Sequence, residues 1–130
     1  MSRQELEQEV RRAEALRRSL LGYAGEYLTQ VAQRSACGVL HLTRQRFAVW
    51  LLMLTDRLGA DVIEITQERI AEHLGVRRAG VTVIVAELQD SGIVNSSRGL
   101  LRVTDRPALE SVACECYAAM STRGRDRVAV

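Results

Sequence analysis

Arg77-Arg78 open a stretch whose apolar positions, Val81, Ile84, Val85 and Leu88, recur at helical spacing. Assigning those to a core leaves Arg77, Arg78, Ala79, Thr82, Val83 and Ala86 facing outward. A guanidinium at the exposed start of a helix can hold guanine O6 and N7 in bidentate fashion, and the methyls of Thr82 or Val83 suit thymine methyls. Arg77, just ahead of the helix, is placed for a phosphate, which the positive end of the helix dipole also favours. Other chemistry finds little footing. His41 and His73 are the two histidines, and neither neighbours a nucleophile in a catalytic motif. No Gly-rich phosphate loop, zinc signature or nucleophile elbow occurs, so no catalysis, cofactor or metal is expected. Cys37, Cys114 and Cys116 are odd in number and form no CxxC. They read as buried structural thiols, not as a disulfide framework or zinc finger.

The elements around these residues are well punctuated. Thr66 can cap a short helix, Gln67–Leu74, which closes at Gly75, and the arginine-led helix runs from about Arg78 to Asp90. Ala71 offers a small side chain where the second helix must cross, and Ile70, Leu74 and Val76 complete a shared core. Two helices joined by a tight glycine turn have the layout of a helix-turn-helix. Ile93–Asn95 and Leu100–Val103 then form a hairpin around Ser96-Ser97-Arg98-Gly99, where Arg98 at the tip can meet a phosphate. Val62–Ile65 reads as a small strand. The expected fold is mainly α with a small β wing: a winged helix-turn-helix preceded by N-terminal amphipathic helices.

Upstream, Thr43 can cap a helix carrying Phe47, Trp50, Leu51, Leu54 and Leu58 as its core face, with Leu42 and Phe47 as a hydrophobic staple. Residues 2–36 are helix-rich, with Leu6, Val10, Ala13, Leu16 or Arg17, and Leu20 in one stripe and Tyr23 or Ala24, Tyr27 and Val31 in a second. Gly22 and Gly25 leave open whether this is one helix or two; Cys37-Gly38 is the expected stop. Asp105 and Pro107 open a last helix through Tyr117 or Met120. The expected organisation is an N-terminal dimerisation segment at 1–38, a DNA-binding domain at 39–120 and a frayed tail at 121–130 bearing Arg123, Arg125 and Arg127.

The 130 residues suffice for one ordinary domain, and 47% apolar with 26% charged residues describes a globular chain. The richest apolar run, Phe47–Leu54, is far short of a membrane span, and the N-terminus lacks the apolar core of a secretory signal. A cytoplasmic protein is expected. Its 18 basic residues are all arginine against 16 acids, giving a net charge of +2. That balance permits a nucleic-acid partner without requiring one.

Ile65-Thr66-Gln67-Glu68, Leu74-Gly75-Val76-Arg77-Arg78, Val81-Thr82, Leu88-Gln89, Gly92-Ile93 and Arg98-Gly99 together resemble the C-terminal DNA-binding domain of Crp/Fnr transcription regulators. Arg46–Met53 upstream and Ala113-Cys114-Glu115-Cys116-Tyr117 downstream resemble one branch of that superfamily, so the likeness covers roughly residues 24–117. It implies a sequence-specific DNA-binding transcription regulator, with Arg78, Ala79 and Val83 at base-reading positions. Gln67, Arg77, Gly80, Ser97 and Arg98 fall at positions that meet the sugar-phosphate backbone. Double-stranded DNA is the implied partner, with RNA polymerase a further one. Gly80 stands where such proteins usually carry Ser or Thr, and Ala79 lacks the acceptor that an acidic residue would offer cytosine. The family's N-terminal sensor barrel is not expected in this chain, and neither is a cyclic nucleotide.

A homodimer is expected through residues 13–35, where Leu16, Leu20, Tyr23 or Ala24, Tyr27, Leu28 and Val31 offer an apolar stripe that a monomer would leave exposed. The competing arrangement breaks the helix at the glycines and folds the stripe back onto Trp50 and Leu54. A different function, a winged-helix protein-interaction module, draws support from charge: residues 65–106 hold six arginines against five acids.

Overall fold

The computed structural model describes residues 1–121. It runs α1 (Arg3–Leu40), α2 (Thr43–Leu58), β1 (Val62–Glu64), α3 (Gln67–Leu74), α4 (Arg78–Asp90), β2 (Val94–Ser97), β3 (Leu100–Val103), α5 (Arg106–Val112) and α6 (Cys116–Met120). The question left open at Gly22 and Gly25 resolves as one continuous helix of 38 residues. Each glycine costs a helix roughly 1 kcal/mol relative to alanine. Against this stand a Ser2–Glu5 capping box at the start and exposed pairs such as Arg3–Glu7 and Arg17–Glu14 along the first half. The helix also passes the expected stop at Cys37-Gly38 and ends with His41 as its cap residue.

The core is organised around α2, which buries Phe47, Ala48, Val49, Leu51, Leu52 and Met53. Each large apolar side chain so covered stabilises by about 1.5–3 kcal/mol. By contrast α1 buries only Cys37 and packs through its C-terminal end, against α6 and α2. Three details of α2 differ from expectation. Leu42 is the cap residue and Thr43 the first helical one, with Gln45 Oε1 accepting from the Leu42 N–H at 3.1 Å. Leu42 therefore stands one position too late for a staple and is 74% exposed. Leu58, the last residue of α2, is likewise exposed.

The sheet has the order β1-β3-β2, antiparallel throughout. Ser97 pairs with Leu100, so the hairpin loop is two residues, tighter than the four expected. Arg98 (φ 51°) and Gly99 (φ 77°) both adopt left-handed backbone, the requirement of a type I′ turn matched to strand twist.

The expected last helix divides into α5 and α6. Asp105 caps α5 as expected, accepting from the Ala108 N–H at 3.0 Å. Ala113 then turns extended (φ −66°, ψ 147°), ending α5 and letting Cys114 and Cys116 face inward. Arg106 locks this region to α2: its guanidinium pairs with Asp56 and donates to Thr55 Oγ1 at 3.2 Å and the Tyr117 hydroxyl oxygen at 3.0 Å. Tyr117 in turn donates to Asp56 Oδ2 at 2.8 Å. Ser121, assigned to the frayed tail, is buried beside Asp56; Arg123, Arg125 and Arg127 lie outside the described residues. No helix among the described residues is long and apolar enough to cross a membrane.

Candidate nucleic-acid interface

The unit α3–turn–α4 is assembled as its spacing predicts. Thr66 Oγ1 accepts from the Arg69 N–H at 3.3 Å to start α3, and Gly75 (φ 65°) closes it in left-handed conformation. Ile70, Ala71, Leu74, Val81, Ile84, Val85 and Leu88 are buried between and beneath the two helices. Arg46 of α2 donates to the Leu74 carbonyl oxygen at 2.6 Å, fixing the C-terminal end of α3 to the core. At the other end of α4, Gln89 Oε1 accepts from the Ser96 N–H at 2.9 Å and ties the helix to the wing.

This framework leaves Arg77, Arg78, Ala79, Gly80, Thr82, Val83 and Ala86 exposed along one side of α4. Their side chains are organised by the first turn of α3. Glu68 Oε1 pairs with Arg78 Nη1 at 2.8 Å, and Thr82 Oγ1 donates to Gln67 Oε1 at 2.6 Å. The second contact leaves the Gln67 amide nitrogen as the donor available to a phosphate. The Thr82 hydroxyl also contacts the Arg78 carbonyl at 3.1 Å, so Thr82 has its methyl to offer a base. Among the described residues Arg77 and Arg98 form no ion pair. Ser97 and Arg98 are exposed at the wing tip. A Cβ added at Gly80 meets no atom within 4 Å, so the missing Ser or Thr is not excluded by packing.

The dimerisation candidates lie apart from this surface. Leu16, Leu20, Tyr27 and Val31 are 61, 59, 58 and 43% exposed along α1, and Tyr23 and Leu28 are more so. The stripe is not folded back onto Trp50. Trp50 packs instead between Phe47 and His73, with ring centroids 6.0 Å from each.

One grouping escaped sequence reasoning. The three cysteines are buried, as expected, but they converge on one another and on His41, all four donor atoms lying within 4.8 Å. Burial, reinforced by Cys114 and Cys116, pushes the Cys37 thiol up to about 12, and burial also raises Cys114. The available signals were Cys-x3-His at helical spacing and Cys-x-Cys downstream, 77 residues from Cys37 to Cys114. Neither announces the other.

Two crossed helices with a glycine turn, an arginine-led exposed face and a flanking two-residue hairpin define a winged helix-turn-helix domain. Residues 45–112 match the family model of the Crp-like helix-turn-helix domain, just over half of the chain, and the chain belongs to that family. Solved structures agree. A Crp/Fnr-family transcriptional regulator from Eubacterium rectale is 29% identical, with 71% of this chain covering 44% of that one at a TM-score of 0.62. A CRP-family regulator from Thermus thermophilus is 25% identical, with 77% covering 54% at 0.65. FixK2 from Bradyrhizobium japonicum, 19% identical, shares the fold at 0.71, with 88% covering 60%. The chain thus spans about half the length of these proteins. None of the curated proteins matches it as a relative.

Proposed function

We propose that the chain is a sequence-specific DNA-binding transcription regulator of the Crp/Fnr type that acts as a homodimer. The observation that carries this reading is the exposed face of α4, held by a buried core in a domain of that family, with Arg78 at its start. In this reading Arg78, Ala79, Thr82 and Val83 meet base edges in the major groove. Gln67, Arg77, Gly80, Ser97 and Arg98 meet the sugar-phosphate backbone and fix the register. One such helix reaches few base pairs, so two copies must act at half-sites about 34 Å apart, joined through Leu16, Leu20, Tyr27 and Val31.

Selection of bound sequences from random duplexes at fixed salt tests the reading. A two-fold symmetric site supports sequence reading and dimerisation together. The near balance of charge over residues 65–106 favours a second reading, a protein-interaction module. Absence of salt-dependent duplex binding would select it.

A further inference from the structure

We infer that Cys37, His41, Cys114 and Cys116 form a closed, four-coordinate site for one thiophilic divalent cation, zinc by its chemistry. All four donor atoms lie within 4.8 Å of one another, and two of the distances between them match the edges of a tetrahedral site. Zinc–sulfur bonds of about 2.3 Å and zinc–nitrogen bonds of about 2.0–2.1 Å give tetrahedral edges of about 3.8 Å between sulfurs and about 3.6 Å between sulfur and nitrogen. Here Cys37 Sγ lies 3.6 Å from Cys114 Sγ, and Cys116 Sγ lies 3.5 Å from His41 Nδ1.

The surroundings are those of a metal centre. With Nδ1 turned to the sulfurs, His41 Nε2 meets Glu115 Oε1 at 3.0 Å, the carboxylate–histidine arrangement that fixes tautomer and ring orientation in zinc sites. Gln33 Nε2 donates to Cys116 Sγ at 3.2 Å, a bond that strengthens when the sulfur is a thiolate. Three sulfurs this close cannot all ionise without a cation between them, which a bound ion would supply. A disulfide between Cys37 and Cys114 would leave Cys116 and the oriented His41 without a task. An iron–sulfur cluster interposes irons and sulfides among its thiolates and needs a wider cage.

The fold explains why these four meet. Cys37 lies in the last turn of α1, and His41, the C-cap residue four positions on, donates its N–H to the Cys37 carbonyl oxygen at 3.1 Å, which keeps the two side by side. The extended Ala113 turns Cys114 and Cys116 toward them from the α5–α6 junction. The ion would clamp α1 to the DNA-binding domain through Cys37, the one side chain that α1 buries among the described residues.

The test uses the full chain, purified anaerobically. Elemental analysis is expected to find one zinc per chain. After chelation, refilling with cobalt(II) should give the intense thiolate-to-metal charge-transfer and ligand-field bands of a tetrahedral site. Cys116→Ser and His41→Ala should each weaken cobalt binding by about tenfold or more and shift the bands, whereas His73→Ala should leave both unchanged. Folded wild-type chain, checked by circular dichroism, that takes up neither zinc nor cobalt would overturn the site. So would a Cys37–Cys114 disulfide in the anaerobic protein. Bands indifferent to His41→Ala would overturn the Cys3His ligand set.

Discussion

Arg78 is held by Glu68 in the DNA-free chain, and both side chains are more than half exposed. An exposed pair of this kind contributes about 0–1 kcal/mol, so a base edge can take the guanidinium over at little cost. Arg78→Ala should therefore lose about 1–3 kcal/mol on the selected site and almost nothing on random duplex, measured by titration at one salt concentration. An equal loss on both would make Arg78 a phosphate contact. Arg98 is expected to behave in that second way. Its left-handed backbone persists in Arg98→Ala, so the variant reports the guanidinium alone. Affinity should fall uniformly across sequences, with the salt slope reduced by about one; an altered preference would assign it to base reading. The exposed positions of α4 were legible because helical period and apolar pattern settle which side faces out. The Glu68–Arg78 and Gln67–Thr82 links were not, since they depend on how closely α3 approaches α4.

Gly80 lies in α4 with open space around it, so it weakens the recognition helix without relieving any crowding. Gly80→Ala should raise stability by about 0.5–1 kcal/mol in denaturant unfolding; a loss would mean that α4 needs flexibility or close approach there. Between elements, the Asp56–Arg106–Tyr117 cluster holds α5 and α6 on α2. Asp56→Ala leaves Arg106 with its main counter-charge gone at a mostly covered position. The expected loss is ~2–3 kcal/mol, somewhat below that for a fully buried pair because water still reaches the guanidinium. A change under about 0.5 kcal/mol, within the range of ordinary surface substitutions, would show the cluster to be replaceable. Caps and glycine turns made α3, α4 and the hairpin readable to within a residue or two. The α5–α6 break carried no proline or glycine to mark it. It coincides with Cys114 and Cys116 turning inward, a tertiary arrangement that the helical pattern does not encode.

Over the whole molecule, the unusual feature is α1, whose apolar residues from Leu16 to Val31 stand in solvent. Such a stripe is a liability on a monomer. The wild-type chain should sediment as a dimer at micromolar concentration and Leu20→Glu as a monomer, with specific DNA affinity falling alongside. A wild-type monomer would remove the dimer from the proposed function. Spacing alone left one helix or two open at Gly22 and Gly25, because each glycine's penalty is comparable to what the flanking caps and ion pairs return.

At 1.5 Å per residue, the 38 residues of α1 extend about 57 Å, and hydrogen bonds tie it to the rest of the chain in its C-terminal third, from Gln30 through Gln33 to the cap residue His41. It has the proportions of a lever whose fulcrum is the stretch from Gln30 to His41. A tilt of about 10° there carries the far end, about 40 Å away, through about 7 Å. Run in reverse, a large push on the free end becomes a fine rotation of the domain that carries Arg78. The stiffness of that anchored stretch, the four side chains included, would set the gearing between a load on the helix and the angle at which α4 is presented.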